Sequence, residues 1–387
     1  MLHLPVYLDH NATTPCDPAV VDAMLPYFTK NFGNAASRTH AFGWAAEEAV
    51  DLAREQVARL IGADPTEIVF TSGATESDNL ALKGIFDKYR PKGNHLITCA
   101  TEHKAVLDTC KHIEKMGGSV TYLPVDPQGR VDPAQVTAAI RPETILICIM
   151  YANNETGVLQ PIREISAIAR AHNIPFFTDA TQAAGKIPID VQEDGIDLLA
   201  LSAHKFYGPK GTGALYVRRR NPRITLTPQL DGGGHERNFR SGTLNVPGIV
   251  GLGKAADICL HLMYTEANRL SVLRDHLEKS LLTLGDVFVN GSTTHRLPHV
   301  TNLSFRYIES QPLLLSIAKE LALSSGSACT SANPEPSYVL KAMGLPDPDA
   351  RASLRFSLGR STTPEEITYA ITHLSAAITR LRATSIR

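Results

Sequence analysis

Seven short apolar runs separated by helical patterns constrain this chain more than any other feature: Glu67-Ile-Val-Phe70, His95-Leu-Ile-Thr98, Val120-Thr-Tyr-Leu123, Ile145-Leu-Ile-Cys-Ile-Met150, Phe176-Phe-Thr178, Leu198-Leu-Ala-Leu201 and Gly213-Ala-Leu-Tyr-Val217. Strand-length runs alternating with helices predict an α/β fold, a mostly parallel seven-stranded sheet covered by helices. Helix starts are marked by Asp132-Pro133, by Gln160-Pro161 and by Thr75-Glu76 after Gly73. Ligands of such sheets sit beyond the carboxyl ends of the strands.

From Val246 to about Leu284 the pattern is continuously helical, beginning at Pro247. Beyond it the character changes. Strand-like pieces at Val287–Val289, Thr301–Phe305 and Leu354–Ser357 alternate with helical stretches near Leu313 to Leu321, Ser337 to Met343 and Pro364 to Arg382. The expected organisation is a large domain over 15–260 and a smaller α+β domain over 261–387, joined by residues 1–14.

Composition narrows the function classes. With 38 basic against 39 acidic residues there is no electrostatic footprint for nucleic acid, and a small-molecule substrate is the better expectation. The N-terminus has no basic region followed by a sustained apolar segment, and no later run approaches the roughly 18 apolar residues of a membrane span. A soluble, cytoplasmic protein is expected. Six cysteines without CxxC spacing indicate neither a disulfide framework nor a preformed zinc site.

Ser202-Ala-His204-Lys205 delivers a lysine to the end of one apolar run, and Phe176-Phe-Thr-Asp179 delivers a carboxylate to the end of another. An acid for a protonated pyridine nitrogen and an imine-forming lysine are the two groups a pyridoxal phosphate enzyme supplies. Alone, each residue also reads as a surface lysine or a helix-capping aspartate. Phe70-Thr-Ser-Gly-Ala-Thr-Glu-Ser-Asp-Asn79 runs from a strand through a small-residue turn into a helix, presenting N–H groups to an anion such as phosphate; an ordinary glycine turn is the alternative. Ser202 and His204 offer further donors.

His103 opens a helix, where the macrodipole favours a neutral imidazole able to stack on a pyridine ring, although lone histidines are commonly structural. Asn154, in Asn153-Asn154-Glu155-Thr156-Gly157, follows the strongest strand, where an amide can fix a carboxylate or a phenolic oxygen, or simply form a turn. Arg355 alternates with Leu354 and Phe356 and can face a crevice, where a guanidinium suits an amino-acid carboxylate. Cys329 lies in Ser324-Ser-Gly-Ser-Ala-Cys-Thr-Ser-Ala-Asn-Pro334, too polar for core, as an exposed thiol suited to covalent chemistry or merely incidental to a loop. Cys99, Cys110, Cys148 and Cys259 read as packing residues, and Cys16 is the competing exposed thiol. Gly232-Gly-Gly-His-Glu-Arg-Asn-Phe-Arg-Ser-Gly-Thr243 reads as a flexible loop.

Taken together, Tyr7-Leu-Asp-His-Asn-Ala-Thr-Thr14, Gly33-Asn-Ala-Ala-Ser-Arg-Thr-His40, Ser72-Gly-Ala-Thr-Glu-Ser-Asp-Asn79, Ser202-Ala-His-Lys-Phe-Tyr-Gly-Pro-Lys-Gly211, Arg240-Ser-Gly-Thr243 and Ser325-Gly-Ser-Ala-Cys-Thr-Ser331 resemble the cysteine desulfurases of the class V aminotransferase family. These are pyridoxal phosphate-dependent transferases of fold type I. The long, serine-rich cysteine loop resembles the group serving iron-sulfur assembly.

The resemblance implies Lys205 as the imine lysine, Asp179 on the pyridine nitrogen, His103 stacked on the ring and Gln182 on the phenolic oxygen. Ala74, Thr75, Ser202 and His204 would hold the phosphate, Thr243 would reach the phosphate of a neighbouring subunit in a homodimer with shared sites, and Asn154 and Arg355 would take the substrate carboxylate. L-cysteine would become L-alanine, with sulfur held as a persulfide on Cys329 for an iron-sulfur scaffold or a tRNA-thiolation carrier. Transient coordination of a nascent cluster by Cys329, shared with a scaffold, is a further implication. Housekeeping members carry a scaffold-docking tail beyond the last helix, whereas this sequence ends at Leu381-Arg-Ala-Thr-Ser-Ile-Arg387; a nitrogen-fixation type or a dedicated sulfur donor stays open. Competing readings are a selenocysteine lyase or aminotransferase on the same scaffold, and a non-catalytic sulfur-relay or scaffold-binding protein.

Overall fold

The computed structural model describes residues 2–325 and 335–385. Twelve strands follow in chain order: β1 (Val6–Tyr7), β2 (Ile68–Thr71), β3 (His95–Cys99), β4 (Ser119–Leu123), β5 (Thr144–Cys148), β6 (Phe176–Asp179), β7 (Leu198–Ser202), β8 (Gly213–Val217), β9 (Val287–Val289), β10 (Val300–Phe305), β11 (Leu321–Ala322) and β12 (Ser353–Ser357). All seven apolar runs are strands of one sheet, ordered β2-β8-β7-β6-β5-β3-β4. Only β8 runs antiparallel to its neighbours; the other pairs are parallel.

Successive side chains of a strand point to opposite faces, and the sheet is covered on both. Phe70, Ile97, Ile147, Phe176 and Leu199 enter one apolar cluster, while their neighbours Val69, Leu96, Leu146, Phe177 and Leu198 enter another. Burial on both faces is why these strands read as unbroken apolar runs.

The helix Val246–Leu282 starts where Asn245 accepts from the Gly248 N–H. Val246, Ile249, Leu252 and Cys259 pack into the first cluster. Farther along, Leu270, Leu273, Leu277 and Leu281 join a third, with Val6, Leu8, Leu303, Phe356 and Leu374. This helix is long and apolar enough to cross a bilayer, but more than half of its most apolar window is buried in protein, which accounts for its composition. The third cluster packs on an antiparallel sheet ordered β12-β10-β9.

Two local readings are corrected. The helix expected near Leu313 to Leu321 is Ser310–Ile317; Leu321 pairs instead with Val6 in the parallel β1-β11 ribbon, its backbone bonded across the chain rather than along it. The glycine-rich loop is an anchored turn rather than a flexible one. Buried Glu236 takes a bidentate pair from Arg54, at 2.8 and 2.7 Å, and accepts from the Phe70 N–H at 2.7 Å, and Glu236, Arg237 and Asn238 all have positive φ.

Candidate active site

Five parallel strands, β2, β3, β5, β6 and β7, end at one crevice. A cavity of ≈ 790 Å³ opens there, and every residue expected at the cofactor or substrate lines it except Thr243 and Cys329. Thr243 is exposed and does not line this chain's cavity. Cys329 lies outside the described residues.

Lys205 ends a short 3₁₀ turn, Ala203–Lys205, directly after β7. Its Nζ donates to the carbonyls of Asn11 at 2.7 Å and Ala12 at 2.8 Å. Burial, and next the Arg355 charge, lower its pKa to about 8, against Asp179 and Asp9, which raise it. A lysine so placed carries an appreciable neutral fraction near physiological pH, as imine chemistry requires. Asp179 ends the adjacent β6, and its Oδ1 accepts from the Thr181 N–H at 2.9 Å. Beneath it, Asp78 and Glu102 are fully buried acids; burial pushes Asp78 well up and Glu102 up to about 8.

Gly73 precedes the helix Ala74–Tyr89 and has no side chain with which to cap it. The first-turn N–H groups therefore lack intrahelical partners. Its φ of 150° suits glycine, and a Cβ at Gly213 on β8 would lie only 2.6 Å from Gly73 Cα, so two glycines let this loop sit against the sheet. Buried Ser202 and half-buried His204 complete the pocket; burial first, then Lys205, lowers the His204 pKa to about 4. His103 Nδ1 accepts from the Ala105 N–H at 3.2 Å, leaving Nε2 to carry the proton of a neutral ring.

Buried Arg355 donates to the Asn154 carbonyl at 2.9 Å and to Asp9 Oδ1 at 2.7 Å. Its Nε and Asn154 Oδ1 are buried without a partner among the described residues. Gln182 donates to the Asn11 carbonyl at 3.0 Å and accepts from Lys186 Nζ at 2.9 Å. Asn11 and Asp9 received no role from the sequence, although both lie in the motif Tyr7–Thr14; their polar run carries no periodicity, and the motif alone could have marked them. Cys99, Cys110, Cys148 and Cys259 are buried, and Cys16 is half-buried. Among the described residues no group of three His, Cys, Asp or Glu is arranged to hold a metal.

The Aminotransferase class-V family matches residues 6–369. This chain belongs to that family. A cysteine desulfurase IscS of Anaeromyxobacter dehalogenans is 57% identical over 385 residues, covering 99% of this chain and 95% of the relative. Among solved structures, a NifS-like protein superposes with a TM-score of 0.91 at 35% identity, covering 97% of this chain and all of that one. SspA, solved in complex with cysteine, gives 0.80 at 40% identity, covering 91% and 98%. Class V aminotransferases of this kind use pyridoxal 5'-phosphate, and the cavity fits it. The uncapped helix start after Gly73 would suit its phosphate, Asp179 and Lys205 are presented by neighbouring strand ends, and atoms of Asn154 and Arg355 that are buried without a partner among the described residues would suit a polar ligand.

Proposed function

We propose that this protein is a pyridoxal phosphate-dependent cysteine desulfurase. It takes L-cysteine, releases L-alanine, and holds the sulfur as a persulfide on Cys329 for transfer to an acceptor protein. The observation that carries the reading is the convergence of Lys205, Asp179 and the Asn154–Arg355 pair on one cavity, in a chain that resembles desulfurases over nearly all its length.

Lys205 would hold the cofactor covalently, Asp179 would hold its pyridine nitrogen, His103 would lie on its ring and Gln182 at its phenolic oxygen. Ala74, Thr75, Ser202 and His204 would hold the phosphate. When bound, the cofactor supplies an electron sink for the substrate's α-carbon. Arg355 and Asn154 orient the substrate through its carboxylate, and the amine of Lys205 or the ring of His103 moves the proton at the α-carbon. The Cys329 thiolate attacks the substrate sulfur, and the carbon–sulfur pair stays with the three-carbon fragment, which takes up a proton and leaves as alanine.

A homodimer in which Thr243 serves the partner's phosphate, delivery to an iron-sulfur scaffold or a tRNA-thiolation carrier, a transient cluster contact at Cys329, the division into 15–260 and 261–387 with 1–14, and a cytoplasmic site of action belong to the same proposal. The test is alanine and sulfide production from L-cysteine, with the visible spectrum, for wild type, Lys205→Ala and Cys329→Ala. Lys205→Ala is expected to lose both the bound-cofactor band and alanine formation, while Cys329→Ala keeps the band and loses sulfur transfer to protein. Undiminished alanine formation by Lys205→Ala, or undiminished transfer by Cys329→Ala, rejects the reading.

A further inference from the structure

A second polar cluster lies behind Gln182. It surrounds Lys186, whose Nζ donates to Gln182 Oε1 at 2.9 Å. A cavity of ≈ 20 Å³ beside it is lined by Lys186, His10 and His299, together with apolar groups such as Met263 and Leu270.

Hydrogen-bond partners fix the tautomer of each ring. His10 Nδ1 lies 3.1 Å from the Ser357 carbonyl, which can only accept, so Nδ1 carries the proton and Nε2 keeps a lone pair. His299 Nε2 lies 2.8 Å from Asn11 Oδ1. The Asn11 amide nitrogen is committed to the Asn154 carbonyl at 3.1 Å, so Oδ1 accepts, Nε2 carries the proton and Nδ1 keeps a lone pair. Both remaining nitrogens, His10 Nε2 and His299 Nδ1, are buried without a hydrogen-bond partner among the described residues. Burial above all keeps the rings neutral, His10 at about 4 and His299 well below its ordinary value, and Lys186 is the leading charge acting on each.

Two buried acceptors therefore share a cavity with an amine that keeps N–H donors whether charged or neutral, burial above all pushing its pKa well down. A single water closes this inventory, giving its two O–H bonds to the ring nitrogens and accepting an N–H from Lys186. The volume agrees, since one water needs about 10–15 Å³ of such space and three partners are typical. We propose that this cavity binds one structural water through Lys186, His10 and His299, and that Lys186, so anchored, is a positioning residue that sets the amide orientation of Gln182.

With Oε1 held by Lys186, Gln182 turns its N–H donors toward the Asn11 carbonyl and the main cavity. A reversed amide would set oxygen against oxygen at Asn11. After burial, the positive charges of Lys205 and Arg355 in the main cavity also lower the Lys186 pKa, and Glu266, on the wall of the small cavity, is taken by Arg360. The positioning role rests on the reading that Gln182 donates to the cofactor's phenolic oxygen. Loss of that donor leaves the oxygen more basic and raises the pH midpoint of the visible band of the Lys205-bound cofactor.

The experiment has two arms on the holoenzyme. A high-resolution crystal structure of wild type is expected to show one ordered water within hydrogen-bond reach of all three nitrogens; a dry cavity, or a water touching fewer of them, overturns the site. Absorbance titration of wild type, Gln182→Leu, Lys186→Met and the double variant reads the orientation. Each single change is expected to raise the midpoint by about one pH unit, and the double to add nothing further. A shift in Gln182→Leu with none in Lys186→Met overturns the positioning role while leaving Gln182 at the cofactor. No shift in either removes Gln182 from the phenolic oxygen, and the positioning role with it.

Discussion

Lys205 is held by two carbonyls that cannot share its proton, in surroundings that lower its pKa to about 8 by burial first and the Arg355 charge second. Apoenzyme should therefore capture added pyridoxal phosphate at a rate that climbs with pH and reaches half its maximum near 8, read by borohydride trapping at position 205. A half-maximum near 10.5, the ordinary lysine value, defeats this account of the amine. Arg355 is the second residue whose surroundings make a prediction. Its guanidinium already spans Asp9 and Asn154 while Nε stays buried and, among the described residues, unpartnered, so the proposed carboxylate would gain a charge-assisted bond at little ordering cost. Arg355→Ala should raise KM for L-cysteine about 30- to 150-fold, from the loss of about 2–3 kcal/mol, with a smaller effect on kcat. Arg355→Lys should recover only part of it, because an ammonium lacks the planar fork; full recovery would argue that charge alone is used.

At the scale of elements, the site depends on how closely a loop can approach a sheet. β8 is the strand that runs against its neighbours, and Gly213 at its start sits back to back with Gly73. A methyl group at Gly213 would lie 2.6 Å from Gly73 Cα and 2.6 Å from the Leu201 carbonyl oxygen, both backbone atoms that yield only by moving the helix start away from β7. Gly213→Ala is expected to destabilise the fold by about 1–3 kcal/mol and to loosen the cofactor more than it lowers the melting temperature of the apoprotein. Equilibrium dialysis of pyridoxal phosphate, run beside thermal unfolding of the apoprotein, separates the two. Unchanged cofactor affinity would show that the helix N-terminus is not where the phosphate is held. The seven strands and this helix start were legible because each is written within ten or so consecutive residues. The β1-β11 ribbon and the Arg54–Glu236 anchor were not, since their partners lie far apart in the chain and neither side has a local pattern that names the other.

For the whole molecule, the same contrast separates what the sequence discloses about the site from what only folding assembles. Lys205 and Asp179 could be paired because each ends an apolar run and adjacent strand ends converge. Asn11, which receives bonds from Lys205, Gln182 and His299, could not, because its place follows from the N-terminal segment crossing the crevice. That folded assembly also buries titratable groups of opposite kinds, which sets a stability profile. Burial holds His10, His95 and His204 near 4, below their ordinary 6.5. As pH falls from 6.5 toward 4 the unfolded chain takes up protons that the folded one refuses, and stability falls. Glu102 runs the other way: burial raises it from 4.5 to about 8. As pH rises through that window the unfolded carboxyl ionises while the folded one stays protonated, and stability falls again. Below 6.5 the histidines outnumber Glu102 and its buried neighbour Asp78; above 6.5 the two acids are opposed by Lys186, which burial lowers, and by only the neutral fraction of Lys205. The urea midpoint of the apoprotein, at fixed protein concentration, should peak near pH 6.5, fall toward pH 5 and decline toward pH 8. Glu102→Gln should flatten the alkaline limb and steepen the acid limb, where Glu102 no longer offsets the histidines. A midpoint that is level from pH 5 to 8, or an alkaline limb steepened by Glu102→Gln, would mean that these buried groups are not protonated as their surroundings dictate.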